Sequence, residues 1–238
     1  DHAGAAGALA NRTGAHVHVH HKGAPHLIDP SRLLQSAGRV YGDAMERVWG
    51  TMEPVPAEQV TALYDGDLVR IPGRTVEALD TPGHAGHHMA FLLDHVTLFT
   101  GDAAGVRMPP VQLIRPALPP PETNLELWED SVAKMRAAVP ERLLLTHFGQ
   151  VLDADEHLAL VPERNRKWAN EILTGLRAGE DENALTERIR QLEEREFREA
   201  GLDEGFSARY RVTSDAAMTA TGLARYWRKF HPEALESK

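Results

Sequence analysis

A layered α/β sandwich, with helices outside two sheets, is the architecture this sequence predicts, and three observations carry the prediction. Two apolar runs, residues 89–93 and 96–100, flank Asp94-His95 as the arms of a hairpin flank its turn. Residues 124–139 place Leu125, Leu127, Trp128, Val132, Met135 and Val139 at mostly helical intervals, with acids early and Lys134 and Arg136 late, and lead into a further apolar run, residues 143–145. From Asp155 onward the pattern becomes charged and helical. Strand and helix alternating beside an antiparallel hairpin call for helices that cover sheet faces. Residues 1–154 therefore read as one α/β domain and residues 155–238 as a helical extension packed on it.

The elements follow in order. Residues 3–10, rich in Ala and Gly, form a helix that Asn11 and Gly14 terminate, and Gly4 and Gly7 allow its start a close approach to neighbours. Residues 15–21 alternate His16, His18 and His20 with Val17 and Val19, the period of a strand with one wet face. Side chains two apart on a strand splay in parallel, so these histidines read as solvated, or as one ring reaching towards substrate, rather than as one metal site. Residues 22–26 form a loop, and Asp29 caps a short helix at 30–35. A second short helix follows at 39–49, and Pro54 and Pro56 lead into a weak helical pattern through Leu63. Asp65-Gly66-Asp67 and Pro72-Gly73 are turns on either side of a strand at 68–71, and the next strand is 74–80. Residues 105–121 hold Pro109, Pro110, Pro116 and Pro119 to Pro121, so they make a long loop. Arg107 on that loop is either a solvated cation or a reader of substrate. Pro140 ends the helix at 124–139. Helices at 155–177, 182–200 and 215–230 close the chain, with Trp168, Ile172, Leu185, Ile189 and Phe197 as packing stripes that also suit a lid or a dimer surface.

Chemistry concentrates at strand ends. Pro82-Gly83 turns the chain after the strand at 74–80, so His84 projects from the end of a sheet. Gly101 lets the backbone bend where the second hairpin strand stops, leaving Asp102 at the rim. A neutral imidazole and a carboxylate are ligands for a divalent ion such as zinc. Two further segments repeat the pattern of His beside Gly at the edge of an apolar element: Asp1-His2-Ala3-Gly4 and Thr146-His147-Phe148-Gly149. His87 and His88 follow His84 closely, and one of them suits a supporting hydrogen bond rather than ligation.

These segments resemble the motifs of the metallo-β-lactamase-fold hydrolases. Asp1-His2-Ala3-Gly4 is similar to the closing half of that family's His-x-His-x-Asp-His motif, and residues 81–84, Gly101-Asp102 and residues 146–149 are similar to its three later motifs. The likeness runs through nearly all of residues 1–150 and is nearest to the glyoxalase-II-like, or hydroxyacylglutathione-hydrolase-like, branch. It implies a four-layer αββα sandwich holding two divalent metal ions, with zinc first and iron or manganese as alternatives. His84 would join the first ion together with two histidines expected before residue 1. Asp1, His2 and His147 would hold the second, and Asp102 would bridge both. The sequence thus starts inside the first motif, and the N-terminal strands of the fold are expected upstream. By the same resemblance, a hydroxide shared by the ions is the nucleophile, and Asp1 and Asp102 are the catalytic carboxylates. His88 would support the site, and His21 and His26 would lie near its mouth.

Composition narrows the function. The 238 residues carry a net charge of −9, which argues against a nucleic-acid partner. No cysteine is present, which removes disulfides, thiolate metal sites and a thiol nucleophile. No apolar run approaches a membrane span and no signal peptide is evident, so a cytoplasmic location without a membrane partner is expected. The expected activity is metal-dependent hydrolysis of an ester or thioester of a small molecule, with a lactone as a near variant, in a monomer or homodimer. A phosphodiesterase and an iron-dependent sulfur dioxygenase are alternatives on the same fold. A non-catalytic scaffold is the alternative should the upstream histidines be absent.

Overall fold

The computed structural model describes residues 2–46, 50–147, 149–213 and 215–236. They form two compact units, Asp1–Val69 and Arg70–Lys238.

The first unit opens with helix α1 (Ala6–Thr13), which ends at Gly14 in the left-handed region, φ 71°, with the Gly14 N–H donating to the Ala10 carbonyl. Gly7 in this helix lies against the Glu53 and Pro54 backbone, where any Cβ would collide with the Glu53 carbonyl. Strand β1 (Val17–His20) pairs in parallel with β2 (Val60–Leu63), Val17 opposite Val60 and His20 opposite Leu63. Ala10, Leu27, Met52 and Val55 make the core of the unit. Several expectations change here. His16 and His18 are exposed, but His20 is only 2% exposed, so the strand has no continuous wet face. The loop expected at 22–26 gives way to helix α2 (Ala24–Ile28), which uses Pro25 in its first turn. The short helix expected at 30–35 extends as α3 (Ser31–Tyr41) until Gly42. The second helix, expected at 39–49, thereby loses its first residues to α3, and its residues 47–49 lie outside the described residues. The weak helical pattern after Pro56 resolves into a 3-10 turn, Ala57–Gln59, followed by β2. Its four residues are too few for periodicity to separate helix from strand, and pairing with β1 decides it.

The second unit begins within β3 (Leu68–Ile71) and contains a six-stranded sheet. Its other strands are β4 (Arg74–Asp80), β5 (Met89–Leu93), β6 (Thr97–Phe99), β7 (Arg142–Leu144) and β8 (Gln150–Val151), in the spatial order β3-β4-β5-β6-β7-β8. Strands β4, β5 and β6 are antiparallel neighbours, with Asp80 opposite Met89 and Phe91 opposite Phe99. The hairpin turn forms as predicted: Asp94 and His95 have φ of 51° and 58°, and the Asp94 carboxylate accepts from the Thr75 N–H at 2.9 Å. Helix α4 (Leu125–Ala137), capped by the Asn124 side chain on the Leu127 N–H, carries the chain from β6 across to β7, which runs parallel to it.

Helices α5 (Ala154–Arg177), α6 (Glu182–Glu199), α7 (Glu204–Thr213), α8 (Ala216–Phe230) and α9 (Pro232–Glu236) complete the unit. All but α7 share one core with the sheet, in which Leu98, Leu143, Trp128, Leu158, Trp168 and Leu223 are buried together, and Tyr210 of α7 packs instead with Val106, Met108 and Phe197. Residues 105–121 have no helix or regular strand beyond one bridge between Val106 and Arg115. They are nevertheless packed inside, with Val106, Met108, Ile114 and Leu118 buried. No helix among the described residues is long and apolar enough to cross a membrane.

Candidate metal centre

His84 owes its position to helix α4. The turn after β4 depends on Gly83, whose φ of 131° and whose contact with the Trp128 backbone leave no room for a Cβ. The same helix grips the turn through polar contacts: the Ser131 hydroxyl donates to the Pro82 carbonyl at 2.6 Å, and Lys134 donates to the Asp80 carbonyl at 2.7 Å. The Asn124 N–H donates to the Gly83 carbonyl at 2.9 Å. Held this way, the His84 ring meets the edge of Trp128 and places Nδ1 2.9 Å from the Ala117 carbonyl oxygen. A carbonyl only accepts, so Nδ1 carries the proton and Nε2 presents a lone pair.

Asp102 follows Gly101, φ 54°, in a 3-10 turn (Gly101–Ala104) directly after β6. His88, 8% exposed, backs this turn. Its Nε2 accepts from the Asp102 N–H at 3.0 Å, so its proton is on Nδ1, which donates to the Thr81 hydroxyl at 2.8 Å. The ring lies where a side chain on residue 101 would have to go, which explains why Gly stands there. His147 sits in the turn between β7 and β8, closed by the Leu145 N–H on the Gly149 carbonyl.

These three side chains converge. His84 Nε2 is 3.3 Å from one Asp102 carboxylate oxygen, and His147 Nε2 is 3.2 Å from the other. Each oxygen of the carboxylate thus faces a different imidazole. The donors are two ring nitrogens and two carboxylate oxygens, with one ring's tautomer set by a backbone carbonyl. Such a set fits zinc, iron or manganese and excludes a soft, thiolate-seeking metal.

The other predicted residues are placed as follows. Asp1 lies outside the described residues, and His2 is exposed in the first unit, just before α1. His26 is half-buried in α2 of the same unit. Arg107 is 8% exposed and turns inward, donating to both oxygens of Asp153 at 3.0 and 2.9 Å. Two contributors had no functional signal in the sequence: the Ala117 carbonyl acts through its backbone, and Trp128 sits in a helix whose periodicity marks it only as a packing residue.

Residues 1–147 match the family model described as the metallo-beta-lactamase superfamily. The chain belongs to that superfamily and has its fold. Among curated relatives, it is 37% identical over 89 residues to an atrochrysone carboxyl ACP thioesterase of Aspergillus fumigatus, covering 37% of this chain and 25% of that one. It is 28% identical over 151 residues to a metallo-beta-lactamase fold-containing protein of Sulfurisphaera tokodaii, covering 63% of this chain and 56% of that one. The chain thus spans from a quarter to just over half of the length of these relatives. Among solved structures, a metallo-beta-lactamase family protein from Thermus thermophilus superposes with a TM-score of 0.63 at 20% identity, over 96% of this chain and 71% of the other.

Proposed function

We propose that this protein is a metal-dependent hydrolase that cleaves a thioester or ester of a small molecule. The observation that carries the reading is the Asp102 carboxylate with one imidazole at each oxygen, His84 at 3.3 Å and His147 at 3.2 Å. In this proposal Asp1 and His2 would complete, with His84, Asp102 and His147, the set that holds two divalent ions, with zinc as the expected metal. Divalent ions in such a site supply a water acidified to near neutrality and polarise the scissile carbonyl. The chain's own part is orientation. Ala117 fixes the lone pair of His84, and His88 and Gly101 fix the direction in which Asp102 leaves the sheet. With no cysteine in the chain, nothing competes as a thiol nucleophile.

The thioester choice rests on the alignment with the thioesterase and on the motif likeness to the glyoxalase-II-like branch. Residues 1–154 would be the catalytic domain and residues 155–238 its helical extension. A small-molecule substrate, no nucleic-acid partner and a cytoplasmic site of action accompany the reading, in keeping with a net charge of −9. The test is elemental analysis of purified protein, followed by turnover of thioesters, lactones and phosphodiesters with and without chelator. The expected result is bound divalent metal and chelator-sensitive thioester cleavage. Metal-loaded protein that consumes oxygen, or cleaves only phosphodiesters, would overturn it.

A further inference from the structure

His157, on α5 and outside the segment that matches the family model, is completely buried. Its Nε2 lies 2.9 Å from the Ala104 carbonyl oxygen, so Nε2 carries the proton and donates. Nδ1 is then the acceptor, and the Arg107 guanidinium faces it at 3.4 Å. Arg107 is in turn clamped on Asp153. Burial, the largest influence, lowers the pKa of His157, and Arg107 adds to this, so the ring is held neutral in the tautomer that donates to Ala104.

Ala104 closes the turn that carries Asp102. Within the turn, the Asp102 carbonyl accepts from the Gly105 N–H at 2.9 Å. The neighbouring peptide groups are held by side chains from three elements: His88 accepts from the Asp102 N–H, Trp128 Nε1 donates to the Ala103 carbonyl at 2.7 Å, and His157 donates to the Ala104 carbonyl. The Ala104 carbonyl and the Gly105 N–H belong to one peptide group, so turning that carbonyl away from His157 also withdraws the N–H from the Asp102 carbonyl.

We propose that His157 is a positioning residue for Asp102, set by the Arg107–Asp153 pair, and that the C-terminal helical region thereby tunes the metal affinity of the site. The inference rests on the reading of Asp102 as a metal ligand.

The test loads the full chain with Co2+ alone and measures affinity by chelator competition, together with the visible spectrum of the bound ion, without substrate. His157→Phe fills the same space but cannot donate. It is expected to weaken Co2+ binding about 10- to 100-fold, the range for groups that orient ligands, and to change the spectrum. His157→Gln, whose amide can reach Ala104, is expected to recover most of the affinity and the wild-type spectrum. Should His157→Phe fail to fold, Asp153→Ala, at a side chain 37% exposed, removes both acceptors of Arg107 and is expected to change the Co2+ spectrum. Wild-type affinity and spectrum in a folded His157→Phe or, failing that, Asp153→Ala protein would overturn the proposal. A wild type that takes up no Co2+ would instead overturn the underlying function, and this inference with it.

Discussion

Asp102 offers its two oxygens to two different rings, so no neutral isostere can replace it without losing an anionic contact on one side. Asp102→Asn is expected to lose metal and activity together, with affinity falling on the order of 100-fold or more, beyond the range of merely supporting groups. Metal content after dialysis checks this. Gly101 is the neighbouring sensitive point. Gly101→Ala would adopt a left-handed φ of 54° and drive its Cβ into the His88 ring. A cost of about 1–3 kcal/mol is expected from the backbone alone, measured by urea unfolding, with metal affinity falling as His88 is displaced. His84 and Asp102 could be placed at strand ends from the sequence because Pro-Gly and Gly announce chain reversals after strand patterns. Arg107 could not be read correctly at the same level, since a cation on a proline-rich loop looks the same whether it faces solvent or Asp153.

At the scale of elements, the long proline-rich segment between β6 and α4 is held by the C-terminal helices. The Met108 N–H donates to the Tyr210 hydroxyl at 3.0 Å, and that hydroxyl donates to the Leu113 carbonyl at 2.9 Å. Tyr210→Phe strands both backbone groups and is expected to cost about 1–3 kcal/mol in chemical denaturation. Gly222 on α8 packs so closely on Leu118 and Pro119 that any Cβ would strike the Leu118 carbonyl. Leu118 follows Ala117, whose carbonyl orients His84, so Gly222→Ala is expected both to lower the melting temperature and to weaken metal binding. The buried pair of Arg115 and Glu193 joins the same loop to α6. Burial, the leading influence on each, raises the pKa of Glu193 and lowers that of Arg115. Glu193→Ala leaves the guanidinium without this partner and should destabilise by about 3–5 kcal/mol. Helix α4 and the strands from β3 to β6 were legible because they are long or strongly patterned. Helix α7 and strand β8 were missed, the first for its weak apolar stripe and the second for its two residues.

For the whole molecule, acid should be felt through His157 first. Its pKa in the folded protein is lowered from the ordinary 6.5 by burial, so the unfolded chain binds the proton more readily. The stability from keeping this ring neutral is fully present above about pH 6.5 and is lost as pH falls through the lower, folded value. Asp153 follows at lower pH. Burial, the largest single influence, tends to raise its pKa, but the Arg107 hydrogen bond, a backbone hydrogen bond and the Arg107 charge together lower it, so its contribution is lost as it protonates. The urea midpoint should therefore fall as pH drops below about 6.5, and His157→Gln should flatten that part of the curve. Chelation should also lower the melting temperature, by the equivalent of about 2.7 kcal/mol for an ion present at a hundred times its dissociation constant.

The order of residues alone determined that strands end at Pro-Gly, Gly and Thr-His, and that a histidine or carboxylate stands at each end. It did so because turn chemistry and hydrophobic period are local. Only the tertiary structure decided that the two Asp102 oxygens face different rings, that His88 lies behind the turn, and that a histidine 55 residues further on, His157, holds its far end. The contacts of His88 and His157 run through a backbone N–H and a backbone carbonyl, groups that every residue but proline possesses. Partner choice there is made by packing and leaves no mark in the identity of Ala103, Ala104 or Ala117.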